Sequence, residues 1–519
     1  MRIARIGDGH DRRYAAELVG NKAANLARMA ALGLPVPPAF VLPIELCAAI
    51  ARGDPHAQSK LTDGLAEGIA FLEHATDTSF GDRRRPLLVS VRSGAARSMP
   101  GMLDTVLDVG CTSAAVHGLV RMTGHPRFAW DCRRRFLQSY GAVVRGLEPK
   151  QFAARRPAFD AEEALDSEAI EQLAGDYQQV IEDADEKLPD DAMEQLESAA
   201  RAVYRSWTSA RASTYRRLQH LDGLQGTAVT VHAMVFGNRG RNSGAGVAFS
   251  RDPSTGAAQP VIDVLFEAQG EDVVSGNRTP ETEQAIERYA PAAAAQLRET
   301  LARLEHEFAD VQDVEFTIDD GKLWLLQTRS AKRTPLAALR FAVDMVKEGM
   351  LTPAQAVQRL SGIDLGALSE RRLAATGEPL ARGIGASAGV AVGRAAFDTD
   401  AAERLAARGD SVILLRPDTS TADVGGFAVS EGIVTAVGGR TAHAALVARQ
   451  MGKACVVGCA ALKVNAGGAA VGAQTINEGD WLSIDGGAGT IYAGRCAIAV
   501  ERPQAELAEI ERWRLRSAG

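Results

Sequence analysis

Gly438-Gly439-Arg440-Thr441-Ala442-His443-Ala444-Ala445-Leu446-Val447-Ala448-Arg449-Gln450-Met451-Gly452 is the stretch on which the reading of this chain turns. Gly432 to Val437 before it and Ala454 to Val457 after it are short apolar, β-branched runs that read as buried strands, so the segment between them is a loop and a short helix. Ala444 to Met451 is rich in helix formers, and Gly452 is a helix stop. His443 therefore falls in the first turn of a helix, behind two glycines that let backbone approach a ligand. Free N–H groups and the positive dipole end favour an anion there, and an imidazole so placed is suited to accept a phosphoryl group. A histidine that merely caps its helix is the alternative.

The whole string, Gly-Gly-x-Thr-x-His-Ala-Ala-x-Val-Ala-Arg-x-Met-Gly, resembles the phosphohistidine segment of the phosphoenolpyruvate-utilising enzymes, and among them that of the pyruvate phosphate dikinase family. The resemblance implies that His443 is a carrier that takes phosphate at a nucleotide site and delivers it elsewhere. Two departures stand beside the histidine: Ala442 where the family often has serine, and Arg440 where it often has methionine. Thr441 matches a threonine that is modified in some relatives.

With 519 residues the chain is too long for a single core. Its 58 basic and 65 acidic residues leave a net charge of −7 with no dominant basic block, which disfavours nucleic acid as a partner. No apolar run approaches the ~18 residues of a membrane span and Met1 to Arg5 carries no apolar leader, so a cytoplasmic protein is expected. Cys47, Cys111, Cys132, Cys455, Cys459 and Cys496 are scattered without zinc spacing and are expected to be reduced.

In the amino-terminal part, Asn21 to Leu32 is helical by spacing and ends at Gly33 ahead of Pro35, Pro37 and Pro38. Lys22 in its first turn opposes the helix dipole, so it either meets a ligand or is simply solvated. Leu87 to Val91 is a strand that runs into a loop, Arg92 to Thr105, holding two arginines, three hydroxyl residues and two glycines. Such a loop is a flexible anion cradle. Gly20-Asn21-Lys22, Val-Arg-Ser-Gly-Ala at 91–95 and Ser-Met-Pro-Gly-Met at 98–102 each resemble the dikinase nucleotide domain. That resemblance implies that Lys22, Arg92, Ser93, Gly101 and Thr105 bind ATP, with Arg135 and Glu271 as further contacts; three adjacent arginines, Arg133 to Arg135, ordinarily face water. Residues 159–218 read as surface helices without chemistry.

Asp313 to Ile318 and Leu323 to Gln327 flank Asp319-Asp320-Gly321 as a hairpin. A three-residue loop with Gly321 left-handed would put Val314, Phe316 and Ile318 on one face with Trp324 and Leu326, and Asp313, Glu315 and Gln327 on the other. Oxygen ligands gathered in that way suit Mg²⁺ shared with phosphates, although an ordinary amphipathic hairpin has the same pattern. The resemblance assigns Glu315 and Gln327 to Mg²⁺, with Asp313 and Arg329 close to the nucleotide.

Gly383-Ile384-Gly385-Ala386-Ser387-Ala388 fits a loose dinucleotide fingerprint, but Val390 to Phe397 after it is strand-like, so a Rossmann site is rejected. The expected architecture is α/β and α+β multidomain: an ATP-grasp nucleotide-binding domain over 1–330, a helical linker over 331–380, a swivelling β/β/α phosphohistidine domain over 381–498 and a helix or linker over 499–519. The implied cofactors are ATP and Mg²⁺. The implied reaction is the half in which ATP and orthophosphate give AMP, pyrophosphate and phospho-His443. Because the sequence stops after a charged helix, the phosphoenolpyruvate/pyruvate barrel is expected on a separate partner chain; a homodimer is possible. A dikinase with another acceptor, and a non-catalytic remnant, stay open as alternatives.

Overall fold

The computed structural model describes residues 3–10, 12–97, 99, 102–155, 165–184, 187–275, 278–374, 377–419, 423–440, 442–465, 468–472 and 474–518, with backbone alone at Leu218, Val274, His443, Gln450, Ser517 and Ala518. Two compact units divide the chain: Met1–Gly240 with Trp324–Thr328, and Arg241–Leu323 with Arg329–Gly519.

The first unit is built on a five-stranded sheet. Its strands are β1 (Ala4–Ile6), β2 (Ala39–Leu42), β3 (Val89–Ala95), β4 (Thr105–Val109) and β5 (Thr227–Ala233), in the order β1-β2-β5-β3-β4 with every pairing antiparallel. The central strand β5 is buried along its whole length, as its β-branched Thr-Ala-Val-Thr-Val run demands. Helix α1 (Asn21–Ala31) packs Ala23, Leu26, Ala27 and Met29 inward at helical spacing. It begins against β3: Gly20, at φ +80°, lies so near that a Cβ there would be 2.1 Å from the Gly94 carbonyl oxygen. Only glycine permits that approach, and it sets Lys22 beside the strand that carries Arg92 and Ser93.

The cradle loop expected from Arg92 starts later, because pairing with β5 keeps the strand extended through Ala95, and two expectations about helices fail in this unit. Helix Ala192–Ser206 is not a surface helix, since Leu196, Ala199, Ala200, Val203 and Tyr204 form an unbroken stripe in the core and the Tyr204 hydroxyl donates to the Pro43 carbonyl at 3.0 Å. Arg133, Arg134 and Arg135 do not face water either. They lie buried on helix α2 (Pro126–Val143): Asp131 on the same helix supplies the counter-charge that lets Arg134 and Arg135 leave water, and Arg133 donates to the Cys111 carbonyl and to Gln178 Oε1.

A four-stranded sheet, β6 (Gly244–Phe249), β7 (Val261–Phe266), β8 (Gln312–Asp319) and β9 (Lys322–Ser330), in the order β9-β8-β6-β7, belongs to the second unit except for Trp324–Thr328 of β9. Asp320 (φ 49°) and Gly321 (φ 78°) are both left-handed, which makes the β8–β9 connection a two-residue type I′ turn and overturns the three-residue loop. Leu323 and Leu325 are accordingly buried, while Trp324 and Leu326 are half-buried. The base of the hairpin keeps a different register. The Ala331 N–H donates to the Val311 carbonyl, and Arg329 meets Asp313. Opposite pairs at the tip (319 and 322) and at the base (311 and 331) thus differ by one residue, which requires an extra residue in β9 between Leu323 and Arg329. The inserted residue flips side-chain parity along the strand.

Next come helices α3 (Pro335–Lys347) and α4 (Pro353–Arg359), then strand β10 (Glu370–Ala374). An eight-stranded sheet follows, from β11 (Ala381–Arg382), β12 (Ile384–Ser387), β13 (Val390–Ala396), β14 (Val412–Arg416), β15 (Gly432–Thr435), β16 (Ala454–Val457), β17 (Trp481–Asp485) and β18 (Thr490–Ala493). The order is β11-β18-β17-β13-β14-β15-β16-β12, with β13 to β16 parallel to one another. Parallel strands are buried on both faces: Ile413, Leu415 and Val434 enter one core, and Val412, Leu414 and Ile433 enter the other. Helix α5 (His443–Met451) crosses the second face on Ala444, Ala445 and Ala448, whose small side chains allow close contact, and stops at Gly452 (φ 67°). Strand β19 (Ala497–Glu501) pairs with β10, and helix α6 (Gln504–Ala518) buries Ile510 and Trp513 against α3 and α4. Where a dinucleotide fingerprint would need a helix, residues 384–387 and 390–396 are both strands.

Candidate functional site

Ala442 is extended (φ −62°, ψ 159°) and helix α5 starts at His443, so the backbone puts this histidine at the N-terminus foreseen for it. The His443 side chain and residue Thr441 lie outside what is described. The loop leading to the helix is held tightly. Arg440 donates its main-chain N–H to Asp263 Oδ2 at 2.6 Å and its guanidinium Nη1 to Oδ1 at 3.1 Å, and Arg449 on α5 donates to the Arg440 carbonyl. Asp263 on β7 is 2% exposed; burial raises its carboxyl pKa and Arg440 draws it back down. This carboxylate was missed from sequence, although a single aspartate inside Val-Ile-Asp-Val-Leu-Phe, an otherwise apolar strand, was the available signal.

Further along β8, Asp313 is buried and accepts from Arg329 Nε at 2.7 Å. Burial is the largest influence on Asp313 and raises its pKa against the pull of Arg329 and, more weakly, Arg449. For Arg329, burial acts downward, but Asp313 and Glu315 more than offset it and the net shift is upward. Lys332 is lowered by burial and by the like charges of Arg329 and Arg449. The second unit therefore gathers Asp313, Glu315 and Arg329 of the expected site and adds Lys332 and Arg449. Buried oxygens without a hydrogen-bond donor include Asp313 Oδ1 in this unit and, in the first unit, Gln327 Oε1. Unsatisfied carboxylate and amide oxygens are the donor type a hard cation takes, so each of these side chains, taken by itself, fits a Mg²⁺ ligand. Among the described residues no group of three or more His, Cys, Asp or Glu is placed to hold a metal.

In the first unit, Arg92 and Thr105 face each other across the β3–β4 pairing, and Ser93 is buried next to Arg92. His232 on β5, not anticipated, lies opposite Ser90 on β3, two residues along from Arg92. Its Nδ1 lies 3.1 Å from the Ala233 carbonyl and its Nε2 3.0 Å from Ser90 Oγ. A carbonyl can only accept, so Nδ1 carries the proton and Nε2 accepts from the serine. Burial first, then the charges of Arg92 and Lys22, lower its pKa to about 3, keeping the imidazole neutral. The far end of the cradle is fixed by Arg211, which pairs with Asp104 and donates to the Met102 carbonyl at 3.2 Å. Gly101 lies outside the described residues. Arg135 is bound to Asp131 at 2.8 Å, inside a network that also takes Arg134 and Asn238. Glu271 is exposed on the short helix Gly270–Ser275. The cation cluster of Lys22 and Arg92 and the cluster around Asp313 each provide what a polyphosphate and its counter-ion require.

The parallel-stranded sheet presents a histidine at a helix start, and residues 409–489, which include it, match the mobile domain of a class, the phosphoenolpyruvate-utilising enzymes, described as "PEP-utilising enzyme, mobile domain". Residues 56–293 and 283–349 match "Pyruvate phosphate dikinase, AMP/ATP-binding domain", and the chain belongs to the pyruvate phosphate dikinase family. It is similar to pyruvate, phosphate dikinase of Clostridium symbiosum, 42% identical over 491 residues, which cover 92% of this chain and 56% of that protein. The chloroplastic enzymes of Flaveria pringlei (42% over 509 residues) and Arabidopsis thaliana (40% over 509 residues) each align with 96% of this chain and 53% of their own length. The chain thus spans about half the length of these relatives. No helix among the described residues is long and apolar enough to cross a membrane.

Proposed function

We propose that this chain is a phosphotransferase that carries out the nucleotide half of a dikinase reaction, phosphorylating His443 from ATP in the presence of orthophosphate. The imidazole attacks the β-phosphorus and AMP leaves with the bridging oxygen; orthophosphate then attacks the γ-phosphorus, pyrophosphate leaves, and phosphohistidine remains. In this reading the nucleotide domain is an ATP-grasp module and the eight-stranded sheet is the swivelling carrier. Lys22, Arg92, Ser93, Gly101 and Thr105 bind the phosphates, Arg135 and Glu271 make further nucleotide contacts, and Asp313 and Arg329 shape the site. Glu315 and Gln327 would hold Mg²⁺, which when bound offsets phosphate charge. Since phosphoryl transfer asks the protein mainly for charge neutralisation and alignment, cations and backbone donors supply most of the catalysis.

The observation that carries the proposal is Arg449. It lies on the helix that begins at His443, and its charge is felt by both Asp263 and Asp313. The carrier helix and the buried carboxylates of β7 and β8 therefore share one electrostatic environment.

The test is incubation of the chain with ATP labelled at the β-phosphate, with and without orthophosphate. Heat- and acid-labile label on the wild type that is abolished in His443→Ala supports the proposal, and pyrophosphate formed only with orthophosphate fixes the γ-acceptor. No label on a folded chain that binds ATP would sink it. Pyruvate, the acceptor named in the relatives, is then supplied with and without a separate barrel-bearing protein. Phosphoenolpyruvate formed only with the barrel protein supports a divided reaction.

A further inference from the structure

We infer that Arg440 is a positioning residue: with the buried carboxylate of Asp263 it forms a latch that seats the loop before His443 on strand β7 and sets the alignment of helix α5 for phosphoryl transfer. The structural part stands by itself; its consequence for transfer rests on the function proposed above.

One carboxylate holds Arg440 twice. Oδ2 takes the main-chain N–H and Oδ1 takes the guanidinium, so the backbone and the side chain of the same residue are fixed by a single partner. The guanidinium also donates Nε to the Gly385 carbonyl at 3.2 Å, tying the loop to β12. From Arg440 the constraint passes directly into the helix. Its carbonyl accepts from Arg449, whose Nε donates to the Ala445 carbonyl at 3.2 Å and whose guanidinium lies 5.6 Å from the centre of the Phe249 ring on β6. The Ala442 N–H closes the turn on the Gly439 carbonyl at 3.1 Å.

The seat is close-fitting as well as charged. A Cβ on Gly439 would fall 2.3 Å from Pro280 Cγ and 2.8 Å from Asp263 Oδ2, and one on Gly458 would fall 2.9 Å from Thr279 Cγ2. The glycines let the loop reach β7, and the ion pair fixes it there. Asp263 is 2% exposed. Without Arg440 its charge would be left buried and under-compensated, a costly state that is relieved by letting the loop lift and water enter. Since the related motif often carries methionine at this place, Arg440→Met is a substitution that the loop can accommodate, and it removes the ionic part of the latch while leaving the main-chain N–H.

The experiment uses the full chain as wild type, Arg440→Met, Arg440→Lys, Asp263→Asn and the Arg440→Met/Asp263→Asn double variant. Two quantities are read: amide hydrogen exchange across residues 438–451 and 261–266, and the rate of His443 labelling as a function of ATP concentration. Truncating one partner of a buried, hydrogen-bonded charge pair corresponds to a change of about tenfold or more. Arg440→Met is therefore expected to speed exchange at the Arg440 amide and the first turn of α5 at least about tenfold, with strands of the first unit unchanged. The maximal labelling rate is expected to fall by a comparable factor at unchanged half-saturating ATP, because Arg440 positions the carrier and does not bind the nucleotide. Arg440→Lys, which keeps the charge without the fork, should recover part of both effects. The double variant should be no worse than Arg440→Met alone, as expected for two residues acting through one contact.

Exchange in Arg440→Met within about twofold of wild type, or additive effects in the double variant, overturns the latch. Faster exchange without a fall in maximal rate overturns its positioning role. If the wild type takes no label at all, it is the proposed function that fails, and the exchange data still decide the latch. Should Arg440→Met fail to fold, Arg440→Lys and Asp263→Asn decide it by the same two readouts.

Discussion

Replacing His232 by asparagine should make the first unit less sensitive to acid, even though it removes a core side chain. The wild-type imidazole is neutral in the folded state with a pKa of about 3, against an ordinary value of 6.5. Above pH 6.5 neither the folded nor the unfolded chain protonates it, and it contributes no pH dependence. As the pH falls below 6.5 the unfolded chain takes up a proton that the folded chain refuses, so stability is lost progressively down to about pH 3. A gap of about 3.5 between the two pKa values, at ~1.36 kcal/mol for each, is a total of about 4–5 kcal/mol, of which about 2 kcal/mol is lost between pH 7 and 5. The shorter amide side chain of His232→Asn could still donate to the Ala233 carbonyl but cannot titrate; its smaller volume lowers stability by about 1–3 kcal/mol at all pH values. The assay is urea unfolding at pH 7.5 and pH 5, following the transition of the unit that holds Trp130, Trp207 and Trp324. The wild type should lose about 2 kcal/mol more than His232→Asn between the two conditions. Equal losses, to within about 0.5 kcal/mol, would refute the account of an imidazole kept neutral by burial and by the charges of Arg92 and Lys22.

Asp131→Ala should destabilise the same unit by about 3–5 kcal/mol in urea unfolding at neutral pH, because Arg134 and Arg135 would stay buried without their counter-charge; a loss under 1 kcal/mol would show that the arginines find other partners. Burial raises and the two arginines lower the Asp131 pKa, with the arginines prevailing, so its contribution is present above the ordinary carboxylate range and is lost only in strong acid. For the cation, ATP should raise the thermal midpoint of the full chain only with Mg²⁺ present. EDTA, or Glu315→Gln at limiting Mg²⁺, should reduce that rise, and an ATP shift indifferent to both would remove Glu315 from the cation site.

The parts of the fold that read correctly from sequence are those where pattern and packing agree. The flanking strands of the His443 loop and the stop at Gly452 are local consequences of β-branched runs and a left-handed glycine. The hairpin shows where local reasoning ends. An Asp-Gly pair favours the two-residue type I′ turn, whereas full burial of Trp324 calls for a longer loop; the chain takes the short turn, half-exposes Trp324 and corrects register further down with an added residue. A bulge has no reliable sequence signature, so the side of the strand on which Arg329 falls could not be read in advance. Arg134 and Arg135 mislead because their counter-charge, Asp131, lies one turn back on the same helix, and Arg133 because its partner is the Cys111 carbonyl. Asp263, His232 and Arg449 gain their significance only from partners far off in sequence, Arg440 in the first case and Arg92 in the second.

Strands β10 and β19 pair in register from Glu370–Glu501 to Ala374–Ala497. The polypeptide therefore enters and leaves the eight-stranded sheet through neighbouring points, about 5 Å apart across a strand pair. A module inserted in this manner is topologically a cassette: cutting after Ala374 and before Ala497 and bridging the gap with a short turn would leave the host's termini where they were. Evolution could thus exchange the payload, and a protein engineer could graft it, without rewiring the scaffold on either side.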